Sequence, residues 1–89
     1  TTTYYLIQNS SMSLIKHPNE LEENEIQLLL EGVYRYYGFD FRNYAIASLK
    51  RRIWNTIRAE KLNSVSGLQE KVLHDPDCMT RFVLGLSVN

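Results

Sequence analysis

Apolar residues along this chain recur at helical spacing in four separate stretches. In the first, Ile26, Leu29, Leu30, Val33 and Tyr37 follow steps of three and four and predict a helix over 20–37. Asn19 is its expected N-cap, Glu20, Glu22 and Glu23 crowd the first turn where the helix dipole favours negative charge, and Gly38 supplies a left-handed stop. Gly32 inside this helix lowers its propensity and points to close approach by a neighbour. The second stretch, 43–62, places Ala45, Ile46, Leu49, Ile53, Thr56 and Ile57 within an arc of about 120°, with Asp40 or Asn43 as cap. Phe39 and Phe41, in the link before it, are expected core anchors. In the third, 65–74, Val65, Leu68, Val72 and Leu73 face inward. Asp75-Pro76 opens the last helix, 77–86, which buries Met79, Phe82, Val83 and Leu86. The pattern predicts an all-α fold, a compact four-helix bundle with short, antiparallel connections.

Residues 1–19 read as an N-terminal extension and 20–89 as the helical domain. The run T-T-T-Y-Y-L-I has strand-like residues but no partner strand, Met12 is a candidate natural start, and His17-Pro18-Asn19 breaks regular structure. A chain of 89 residues buries only about 60–65% of its unfolded surface, enough for one small domain. No apolar run approaches the ~20 residues of a membrane span, and no signal peptide is evident. Together with a single cysteine, Cys78, which cannot pair internally, this predicts a cytoplasmic protein.

The zero net charge conceals a division. Residues 1–41 sum to −4 and residues 42–62 to +5, so the positive charge lies on the second helix while the whole chain stays neutral. Such a balance favours local recognition over general phosphate binding. Lys50, Arg51, Arg58 and Lys61 lie opposite the apolar arc, Arg52 sits at its edge, and Trp54 and Tyr44 point among the cations. Arg51, Trp54 and Arg58, at i, i+3 and i+7, form a ridge able to grip an acidic, partly apolar partner. Equally, the arginines could be a solvated face and Trp54 a core residue reached by a neighbouring helix.

Signals of catalysis are missing: no glycine-rich phosphate loop, metalloprotease motif, cysteine pair or nucleophile elbow occurs. His74 and Cys78 have metal-ligand spacing only if a helix ran through Pro76, so no metal site is expected. The carboxylates Glu22, Glu23, Glu25 and Glu31 read as dipole and solubility residues. Tyr34, Tyr36 and Tyr37 cannot share one face, so at least one is exposed, their rings closing the core with hydroxyls in water.

Beyond periodicity, the order L-L-L-E-G-V-Y-R-Y-Y-G-F-D-F-R-N-Y, then S-L-K-R-R-I, then H-D-P-D and F-V-L-G-L-S-V-N resembles the N-terminal all-helical domain of the chemotaxis protein methyltransferases, over about 26–89. That family comprises S-adenosylmethionine-dependent protein-glutamate O-methyltransferases of bacterial signal transduction, acting on chemoreceptors. The resemblance implies a two-domain parent whose second domain binds the cofactor and transfers the methyl group. This chain alone is then expected to need no cofactor and to be inactive. The family's basic helix is similar to a docking face for the glutamate-bearing receptor helix, a role that falls on Arg51 and Arg58 first, then Lys50, Arg52 and Trp54. Asn89 matches a junction asparagine that contacts the cofactor in the full-length parent. Lys61 stands where many members have glycine, and Leu68 where many have an aromatic; the first alters the helix C-cap, the second the core. The competing expectation is a stand-alone helical adaptor that binds an acidic protein, a nucleotide or, less favoured, nucleic acid through the same face.

Overall fold

The structure, a computed structural model, describes residues 18–87, so the readings of 1–17 and of Asn89 lie outside it. Four helices follow one another: α1 Pro18–Tyr37, α2 Ile46–Ala59, α3 Val65–His74 and α4 Pro76–Ser87. Among the described residues there is no strand, so the all-α, four-helix reading holds. α1 packs chiefly on α3, α2 on α4, and α3 also packs on α2 and α4.

The predicted stripes meet in one core. Ile26, Leu29, Leu30 and Val33 from α1, Leu49, Ile53 and Ile57 from α2, Val65, Leu68 and Val72 from α3, and Met79, Phe82 and Leu86 from α4 are all buried. Cys78, one turn before Phe82, completes the α4 stripe. Val83, Leu73 and Ile46 are only half-buried, and Ala45 is exposed. Leu68 fits without an aromatic ring, fully buried.

Several ends differ from expectation, each for a visible reason. α1 starts at Pro18, since proline fits a first turn that needs no amide donor, so Asn19 lies within the helix and not at its cap. It stops at Gly38, whose φ of 85° is the left-handed conformation and whose N–H reaches the Tyr34 carbonyl at 2.9 Å. Neither Asp40 nor Asn43 caps α2. The Asp40 carboxylate is taken by the Arg42 amide at 3.0 Å and by its guanidinium at 2.9 and 3.1 Å. This knot makes 41–44 a turn, closed by the Tyr44 N–H on the Phe41 carbonyl. α2 therefore starts three residues late, after Ala45, which offers no side-chain cap. Phe41 anchors that turn in the core, while Phe39 stacks on its outer side and is 47% exposed, so only one of the two rings is an anchor.

The starts of α3 and α4 follow the sequence, while α2 ends at Ala59, short of the expected 62, because a turn closes it there. Ser64 caps α3, its hydroxyl accepting the Gly67 N–H at 2.9 Å, and Asp75 caps α4 by accepting from the Asp77 amide. α2 ends in a Schellman motif: the Leu62 N–H bonds the Ile57 carbonyl at 2.9 Å and the Lys61 N–H bonds that of Arg58 at 3.0 Å. The left-handed residue it requires is Lys61, at φ 59°.

Candidate functional site

On α2 the apolar arc turns Leu49, Ile53, Thr56 and Ile57 inward, which leaves the cations on two flanks and an outer ridge. What each cation meets separates them. Arg42, counted with the basic block in sequence, is absorbed by the connector: besides Asp40 it reaches Glu31 at 3.3 Å and lies 3.6 Å over the Tyr34 ring. Both carboxyls, Asp40 and Glu31, are held below their usual pKa chiefly by hydrogen bonds from arginine.

Lys50 and Trp54 share one flank and turn toward α1. The Trp54 indole N–H donates to Glu22 Oε1 at 2.8 Å, and Lys50 Nζ lies 3.4 Å from the same oxygen. Trp54 is half-buried and packs against the core. Its ring thus stands about 60° around the helix from Arg51, apart from the ridge that spacing suggested. Glu22 acts as a tether between α1 and α2, and Glu25, which accepts the Ser66 hydroxyl at 2.8 Å, ties α1 to α3. Periodicity does not show such links, because they depend on which helices become neighbours.

On the opposite flank Arg52 is half-buried and donates to the Leu86 carbonyl at 3.1 Å, closing the end of α4. Between the flanks Arg51 and Arg58 are both exposed and lie within about 20° of each other on the wheel. Among the described residues the Arg51 guanidinium makes no ion pair or hydrogen bond, and the Arg58 guanidinium bonds only the neutral Asn55.

One cluster escaped sequence reasoning. Glu60, directly after α2, is buried to all but 6% of its side chain and accepts from Arg81 Nε at 2.6 Å, Arg81 Nη2 at 2.8 Å and Lys71 Nζ at 2.9 Å. These hydrogen bonds lower its pKa to about 2. Beside it the Cys78 thiol is pushed up to about 11, first by burial and then by the Glu60 charge, so at neutral pH it is an unreactive core thiol. His74 is exposed at the end of α3 and Cys78 buried in α4, and no group of three metal-ligating side chains forms among the described residues.

Between α2 and α4 runs an open groove of about 800 Å³, edged by Arg51, Arg52 and Arg81. It does not suit S-adenosylmethionine: arginines oppose the sulfonium, and its one carboxylate, Glu60, is already occupied by Arg81 and Lys71. No described helix is long and apolar enough to cross a membrane.

The sequence pattern described as CheR methyltransferase, all-alpha domain, matches residues 24–87, from within α1 to the end of α4. The chain belongs to this methyltransferase family. A Pseudomonas putida protein named "Putative methyltransferase Cher3" is 47% identical over 64 residues, which are 72% of this chain and 23% of that relative. The chain thus spans about a quarter of the length of the curated relative it matches. No solved structure matches it. The CheR all-alpha domain therefore contains the entire basic helix, with Arg51 and Arg58 on its outer ridge.

Proposed function

We propose that this chain is the receptor-recognition domain of a chemoreceptor protein-glutamate O-methyltransferase, and that Arg51 and Arg58 bind the glutamate-bearing receptor helix. The observation carrying this reading is that these two exposed guanidiniums meet no carboxylate among the described residues. The neighbouring Arg42 and Lys50 are paired with acids of their own chain. A planar guanidinium fork suits a carboxylate better than a flexible ammonium does. Arg52 adds charge beside them while holding the end of α4. Lys50 and Trp54, also expected among the contacts, both reach Glu22 of α1.

In the full-length parent, S-adenosylmethionine supplies the methyl group from a catalytic domain that follows this one, and the reaction takes place in the cytoplasm. Asn89 is the residue of this chain assigned to that cofactor. The role of the present residues is to hold the glutamate helix, not to move a proton or a methyl group.

Exposed pairs give weak, salt-screened binding. Titration of the chain with a synthetic glutamate-rich chemoreceptor-helix peptide should saturate at low salt and weaken as salt rises. Arg51→Glu/Arg58→Glu should weaken it by about tenfold or more with the circular dichroism unchanged. Equal affinity of wild type and double variant would remove the docking role.

A further inference from the structure

We infer that the acidic helix lies in the groove between α2 and α4, with Gly85 and Ser48 as its closest approach, and not across the Trp54 flank. This inference rests on the docking reading above and specifies where on the domain the partner sits.

The groove is bounded by Ala47, Ser48, Arg51 and Arg52 on one side and Arg81 and Gly85 on the other. Small residues on both sides leave room for another backbone to come close, as they do wherever helices approach tightly. At its base α2 and α4 are already in contact: a Cβ added at Gly85 would stand 3.2 Å from Thr56 Oγ1. The groove is therefore a shallow trough with a firm floor. Its shape fits a rod laid along it better than a small molecule enclosed by it.

Charge selects the rod. Arg51, Arg52, Arg81 and the nearby Lys71 stand against the single carboxylate of Glu60. Arg52 uses one N–H on Leu86 and keeps further donors on its guanidinium. Arg51 edges the groove and Arg58, seven residues and about 10 Å further along α2, stands on the ridge beside it, outside the groove lining, so a partner helix seated in the groove would meet the two with carboxylates at i and i+7. The opposite flank offers neither feature. There Glu22 already fills the space between Lys50 and the Trp54 indole and presents an acid to any acidic partner.

A stapled helical peptide with glutamates at i and i+7 and alanines between them tests this on the intact chain by amide NMR. Binding should shift the Ser48, Ala59 and Gly85 amides and leave the Trp54 indole N–H at its Glu22-bonded position. Ser48→Trp, an exposed site where the new ring would fill the trough, should weaken binding by about tenfold. Glu70→Trp on the far side of α3 should leave it unchanged. Wild-type affinity in Ser48→Trp, or movement of the Trp54 indole without Gly85, would overturn the groove. If Arg51→Glu/Arg58→Glu still weakened binding in that case, the docking reading would survive on the other face. If it did not, both would fall. Equally strong binding of inorganic pyrophosphate at Ser48 and Gly85 would mark a small-anion site and would also overturn the helix assignment.

Discussion

At the scale of single residues, two positions carry a conformational cost that the fold does not need. Lys61 occupies the left-handed site of the α2 Schellman motif at φ 59°, where a Cβ crowds the following carbonyl. Lys61→Gly should therefore raise stability by about 0.5–1 kcal/mol, read as a higher denaturant midpoint at unchanged m. Gly32 is the converse case. Its helical backbone would place a new Cβ 3.5 Å from Leu73 Cδ1, ordinary contact distance. Gly32→Ala should then gain about 0.5–1 kcal/mol of helix propensity, and a loss in the same melt would show that α1 and α3 need the glycine. Both sites were visible in the sequence, one as a helix-internal glycine and the other as a lysine where glycine is common. Only the backbone angles and the Leu73 contact decide the sign of each change.

At the scale of elements, the number of helices, their order and most of their buried faces were legible, because a four-residue recurrence such as Leu49, Ile53 and Ile57 has few other solutions. The links between elements were not. Three of them use a side chain of one helix on a polar group of another: Trp54 on Glu22, Ser66 on Glu25, and Tyr37 on the backbone of α3. The third corrects the picture of wet phenols at the end of α1. Tyr36 is 70% exposed, but the Tyr37 hydroxyl donates to the Val72 carbonyl at 2.6 Å. Burial, the largest cause, pushes its pKa up, which keeps the proton on the donor. Tyr37→Phe keeps the ring and leaves that carbonyl short of a partner, so it should cost about 1 kcal/mol. Hydrogen exchange near Val72 should quicken with it; a Tyr37→Phe melt superimposable on wild type would mean that the bond contributes nothing net. Start positions were legible only where the cap is local, as at Asp75. The late start of α2 depends on Arg42 capturing Asp40, a competition that residue preferences at Asp40 and Asn43 cannot reveal.

At the scale of the whole molecule, the division of charge into an acidic first half and a basic second helix has two consequences. Part of it is consumed internally, through Glu22, Glu31 and Asp40, while Glu60 pairs with Lys71 and Arg81 beyond the basic block, and what remains on α2 is the outward ridge. The internal part sets the response to acid. Glu60, Glu31 and Asp40 all have folded-state pKa values below their ordinary ones, Glu60 furthest, at about 2 against 4.5. A carboxyl whose pKa is depressed by folding binds fewer protons in the native state than in the unfolded one. Its contribution is therefore complete above the unfolded value and is lost as pH falls through the folded one. For Glu60 the window is about pH 4.5 down to 2. Wild-type Tm should fall across it. Glu60→Gln removes the charge that Arg81 and Lys71 face, and at pH 7 it should lower Tm by about 5–10 °C. Because the variant has no carboxyl at 60 to protonate, its Tm should fall less steeply below pH 4.5, and the two curves should converge near pH 2. Parallel curves would show that the Glu60 cluster is not the source of acid sensitivity. A variant as stable as wild type at pH 7 would mean that solvent at the half-exposed Arg81 screens the pair, leaving the three-helix junction to the surrounding core.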